Sequence, residues 1–194
     1  MAVRAGRSTR VSAFAIAFAL ACGAVPATVA HAAPTAVQID VGGPGGDGFL
    51  ADTYGTGGVP DAKPASRRSL PNWMGAVTHP IPAETWHTSR FLASTYAVTG
   101  LEPGGYEVRL YFMDWYFTRP GQRIFDVAVN GTRVLTDFDI VGTAIARGAD
   151  GAAAFGVEKD FPVTVDESGE LTIDFIRGAE NQPQVNAIAV VPTG

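Results

Sequence analysis

From residue 106 to 113 the chain alternates: Tyr106, Val108, Leu110 and Phe112 interleave with Glu107, Arg109, Tyr111 and Met113. A period of two puts the first set on one face of an extended segment and the second on the other, the mark of a strand with one face in a core. Leu171, Ile173 and Phe175 repeat it. Residues 123–129 and 132–138 are separated by Asn130-Gly131, the pair that supplies the two positive-φ positions of a tight type I′ hairpin turn. Further strands are predicted at 38–41, 91–98, 157–165, 171–176 and 185–191, with turns at Pro103-Gly104-Gly105 and Asp166-Glu167-Ser168-Gly169. No helical periodicity extends beyond about two turns. The expected fold is all-β, a jelly-roll sandwich of two packed antiparallel sheets. Residues 44–72, rich in Gly and Pro and carrying a Ser66-Arg67-Arg68 patch, read as a long surface loop.

Arg4, Arg7 and Arg10 precede an apolar, Ala-rich run over residues 11–25, and Ala30-His31-Ala32 has the small-x-small form of a cleavage site. Residues 1–32 therefore read as a secretory signal peptide, 33–36 as a short linker and 37–194 as the domain. The apolar run is short for a membrane span, and no second one follows. The expected location is outside the cell. The alternative is a lipid anchor on Cys22, since Ala19-Leu20-Ala21-Cys22 loosely resembles a lipoprotein cleavage box.

Removing 32 of the 194 residues leaves 162 and no cysteine, so the exported domain is held by its core and not by disulfides. Loss of the three arginines takes the net charge from −5 to −8. That balance argues against nucleic acid and anionic membranes as partners.

Enzymatic signatures are missing. There is no Gly-x-Ser-x-Gly elbow, and the glycines at 42–46 follow a strand but open no helical pattern. His79 and His87 stand eight apart with no third residue spaced to complete a zinc site. Asp114, Asp126, Asp137, Asp139 and Asp174 lie on or beside strands, but sequence does not reveal a catalytic pair. No cofactor is expected. A structural calcium is the one ion with oxygen ligands at hand, at Asp137 and Asp139 or at Asp47 and Asp52.

The aromatic residues are more telling. Trp115-Tyr116-Phe117 ends the strand that begins at Tyr106, just before the turn at Thr118-Arg119-Pro120-Gly121. Three consecutive rings on an extended chain cannot all face one core. At least one belongs at a rim, where a flat ring can pack against the C–H face of a sugar.

These residues together form a recognisable set. Gln38-Ile39-Asp40-Val41-Gly42-Gly43 and Thr85-Trp86-His87-Thr88-Ser89-Arg90-Phe91 resemble segments of malectin-type domains. So do Tyr106 to Phe117 and the block formed by Gly121-Gln122-Arg123-Ile124-Phe125-Asp126-Val127, Asn130-Gly131 and Asp137-Phe138-Asp139-Ile140. Asn181-Gln182-Pro183-Gln184-Val185-Asn186-Ala187-Ile188 is similar to the family's closing motif. The resemblance implies a jelly-roll sandwich that binds carbohydrate, often glucose-containing oligosaccharides, without cleaving it. It also implies site residues. Tyr116 and Phe117 match the family's Tyr-Phe pair, and Tyr54 matches an aromatic in the early loop. Trp86 stands where the motif has Tyr, Asn181 where it has Asp, and Asp114 where it has Glu. Trp86, Tyr116 and Phe117 are expected to cradle the sugar, with Tyr54 and Asn181 bonding its hydroxyls. The alternatives are a structural or protein-interaction sandwich that has lost its sugar site and, less favoured, a glycoside hydrolase.

Overall fold

The computed structural model describes residues 1–2, 35–63, 72–149 and 154–194, with side chains omitted at 72–75. The predicted signal peptide and the Ser66-Arg67-Arg68 patch lie outside the described residues. The chain divides into two units, Met1–Ala32 and Ala33–Gly194, and the sandwich belongs entirely to the second.

Among the described residues eleven strands build it: β1 (Val37–Asp40), β2 (Gly55–Ala62), β3 (Asn72–Ala76), β4 (Thr88–Val98), β5 (Gly104–Phe112), β6 (Ile124–Val129), β7 (Thr132–Phe138), β8 (Phe155–Val165), β9 (Leu171–Glu180), β10 (Gln184–Val185) and β11 (Ala187–Pro192). One sheet runs β1-β11-β5-β8-β3 and the other β10-β4-β9-β6-β7, with β2 paired to β4 along its edge. Every pairing is antiparallel except that of β3 with β8. The two-sheet, mostly antiparallel architecture is the one the alternation predicts. Asn130 and Gly131 have φ of 47° and 74°, the hand that a type I′ turn between β6 and β7 requires.

One expectation needs correction. The stretch read as one long loop contributes the strand β2, and a further strand, β3, begins at its last residue. Most of β2 is exposed, so it has no alternating apolar face to betray it; backbone pairing to β4 makes it a strand. A short helix, α1 (Ile140–Ala146), follows β7 and stays within the two turns expected, its first turn capped by Asp139, whose Oδ1 accepts from the Gly142 amide at 2.8 Å.

The main core fills the space between the sheets. Tyr106, Val108, Leu110 and Phe112 all point into it, each at most 2% exposed. Phe112 meets Phe138 and Phe125 at ring-centroid distances of 4.8 and 5.9 Å, and Phe175 at 6.4 Å. Tyr111 and Met113, on the opposite face of β5, are equally buried. A second apolar cluster covers them, made of Phe49, Ile81, Trp86, Ala154, Ala187 and Ala189. The five-stranded sheet thus has apolar contacts on both faces, and β5 is doubly buried at its C-terminal end.

Candidate functional site

The chain leaving β5 makes the site. Asp114 follows the strand and is fully buried, and its Oδ1 accepts from the amides of Tyr116 and Phe117 at 2.8 and 2.9 Å. That double bond folds the segment into a turn and sends its three rings in different directions. Trp115 goes inward against the second apolar cluster, its indole Nε1 donating to the Trp86 carbonyl at 3.1 Å. Phe117 leans on the main core. Tyr116 stands in solvent, 78% exposed, with its ring edge-on to Phe117 at 4.9 Å and 88°.

Arg123 holds this turn from behind. Its Nε donates to Asp114 Oδ2 at 2.7 Å and its Nη1 to the Gln182 carbonyl at 2.7 Å. Its guanidinium lies 5.4 and 5.2 Å from the ring centres of Phe91 and Phe117, within the range of cation–π attraction. One residue therefore joins the turn after β5, the β4 strand and the approach to β10.

A cavity of about 330 Å³ opens over this assembly, lined by Asp61, Lys63, Phe91, Tyr116, Phe117, Arg123, Asn181 and Gln184. Gln184 anchors one wall, its Nε2 donating to the Met113 carbonyl at 2.5 Å. Asn181 adopts φ of 55°, its Oδ1 accepts the Gln182 amide at 2.8 Å, and the residue is exposed at the cavity wall. At the opposite rim Lys63 pairs with Asp61 at 2.9 Å. Each cation lining the cavity thus has a carboxylate partner, Lys63 with Asp61 and Arg123 with Asp114. Aromatic faces and hydrogen-bonding groups dominate, and net charge does not.

Of the five residues expected at the site, Tyr116, Phe117 and Asn181 converge on this cavity. Trp86 does not. It sits in a 3-10 turn (Ala83–His87), is fully buried, and packs edge-on against Tyr111 at 6.0 Å. Its position in the sequence motif does not expose it, because the second apolar cluster needs a large ring as its centre. Tyr54 is half-buried against the main core and is not a lining residue. Phe91, Arg123 and Gln184 were not singled out from sequence, although all three fall within the matching motifs. Asp61 and Lys63 come from the stretch read as irregular.

The carboxylates considered for calcium have other work. Asp52 binds the Gly42 amide at 2.8 Å, Arg90 Nη2 at 2.7 Å and the Tyr96 hydroxyl at 2.7 Å. Asp139 accepts from the Gly121 and Gly142 amides. Neither pair gathers a third acidic or histidine ligand among the described residues. Asp126, weighed as a hydrolytic carboxylate, pairs with Arg133 and accepts the Asp137 amide at 2.8 Å.

Comparison with known proteins agrees with the fold. Residues 46–188 match the family model of the malectin domain. The chain is 30% identical over 115 residues to malectin of Danio rerio, covering 55% of this chain and 40% of that protein. It is 31% identical over 115 residues to malectin of Homo sapiens, covering 55% and 39%. The chain spans about 40% of the length of these curated relatives. Among solved structures, the ANX2 ectodomain from Arabidopsis thaliana superposes with a TM-score of 0.65 at 18% identity, over 81% of this chain and 50% of that one. A structure of the plant peptide RALF23 in complex with FER and LLG2 gives 0.66 at 18% identity, over 83% and 49%. At that identity the likeness concerns the fold. With most of its length matched by the family model and the sandwich in place, this chain belongs to the malectin domain family.

Proposed function

We propose that the domain is an exported, non-catalytic carbohydrate-binding module that takes glucose-type oligosaccharides or polysaccharide in the cavity beside Tyr116. The observation that carries this reading is the exposed Tyr116 ring, held at right angles to Phe117 over a rim of Asn181, Asp61 and Lys63. A pyranose offers one apolar face and a ring of hydroxyls, and such a site meets both. The paired charges favour a neutral sugar. Aromatic contacts contribute about 0.5–1.5 kcal/mol each beyond burial, so a few of them support micromolar to millimolar affinity. Multivalent display then strengthens attachment.

The burial of Trp86 favours a second reading. With that ring inside and Tyr54 half-buried, Tyr116 is the one ring of the predicted set standing free, and a protein partner would also use it. A glycan array followed by titration with glucose oligosaccharides separates the two. Binding by the wild type that is lost in Tyr116→Ala supports the sugar site. A blank array across neutral glycans sinks it and leaves the protein-interaction module.

A further inference from the structure

We propose that His79, Glu158 and Asp160 form a zinc site on the outer face of the five-stranded sheet, sharing no residue with the lining of the cavity. Glu158 and Asp160 are two apart on β8 and so share a face, lying opposite Tyr111 and Arg109 of β5. His79 follows β3, the strand that runs parallel beside β8. One ligand atom from each of the three lies within 4.8 Å of the others.

Several features make this more than proximity. Glu158 is held rigidly: its Oε2 accepts the amides of Thr78 and His79 at 2.5 and 2.8 Å, and its side chain is 2% exposed. Its Oε1 faces His79 Nδ1 at 2.7 Å. The carboxyl of Asp160 is exposed and has an oxygen within 4.8 Å of the ligand atoms of Glu158 and His79. Two carboxylates this close favour a proton or a cation between them, and His79 already stands against Glu158. The neighbouring cation, Arg109, directs its Nε at 2.6 Å to Glu107 instead. His79 and Asp160 remain accessible to solvent, so an ion has an entry path.

The donor set selects the metal. One imidazole nitrogen and two carboxylate oxygens, with water completing a tetrahedron, suit Zn²⁺. Calcium and magnesium prefer six or more oxygens. Bound zinc would staple the segment after β3 to β8. That segment leads through Ile81 to Trp86 and so roofs the second apolar cluster. The ligands on the two elements are 79 residues apart, which is why no local spacing revealed them.

The test is calorimetric titration of the chelator-treated full chain with ZnCl2, paired with thermal melts. The expected result is one zinc per chain, with a Tm rise of about 5 °C at a hundredfold excess over Kd. His79→Ala and Asp160→Asn are expected to lose at least tenfold in zinc affinity, and the Tm rise with it, while keeping the wild-type circular dichroism. His79→Gln serves if the alanine variant folds poorly. MgCl2 and CaCl2 are expected to leave the melt unchanged. The proposal is overturned if the wild type takes up no zinc, if the variants bind it as the wild type does, or if calcium acts equally well.

Discussion

The Nε of Arg123 lies 2.7 Å from Asp114 Oδ2, and the two side chains are 3% and 0% exposed. Asp114 fixes the turn that carries Trp115, Tyr116 and Phe117, and Arg123 ties that turn to the strands behind it. The cavity is therefore shaped by a charge pair that is almost wholly buried.

Removing one member leaves the other charged in a dry place. Arg123→Met is expected to lower unfolding free energy by about 3 kcal/mol, read from urea denaturation. Adding Asp114→Asn to it should cost less than the two single losses together, because the pair acts as a unit. Additive losses would show that the two residues stabilise the fold independently.

Trp86 and Tyr116 should behave as opposites. Trp86→Ala empties the centre of the second apolar cluster and is expected to cost about 3–5 kcal/mol. Tyr116→Ala changes an exposed ring and should stay within about 0.5 kcal/mol of the wild type. Under the proposed function it weakens sugar binding by about tenfold, the equivalent of about 1.4 kcal/mol. Melts and titrations of both variants check the pair.

Gly42 is a position where no other residue fits. It has φ of 73°, and a Cβ built there would sit 2.1 Å from the Ser89 backbone carbonyl oxygen. Gly42→Ala must shift one chain or the other, at about 2 kcal/mol or more. A denaturant midpoint equal to the wild type would refute this.

Asp40 predicts a pH effect with a definite sign. Burial raises its pKa above the ordinary 3.8, against the hydrogen bonds from Thr88 and Gly45 that lower it. A raised folded-state pKa means the native state holds the proton more tightly than the unfolded chain does. This contribution to stability is present at low pH and is lost as pH rises from about 4 through the folded pKa. Asp40→Asn removes it. The wild type should therefore lose stability relative to Asp40→Asn as pH is raised, measured as the difference in urea midpoints.

The sheet architecture was legible in the sequence because strand pattern is a local property. The alternation from Tyr106 to Phe112 and the Asn130-Gly131 turn need no knowledge of distant residues, and both appear as the pattern requires. That Trp115, Tyr116 and Phe117 cannot share one face is local too; it requires at least one ring at a rim, and Tyr116 is found there. Sequence alone also carried the family motifs.

What only the tertiary structure decided is which aromatic faces which way once elements stack. Trp86 occupies a motif position yet ends inside, since the turn containing it folds down over the outer face of β5 and meets Tyr111. Met113 and Tyr111 occupy the polar phase of their strand and are buried by that same roof. β2 has no apolar phase and exists through its pairing with β4. Arg123 meets Phe91 and Phe117, and His79 meets Glu158, across gaps in sequence that no periodicity spans. Side-chain alternation is set by the backbone one residue at a time. Burial and charge pairing depend on what the rest of the chain lays on top.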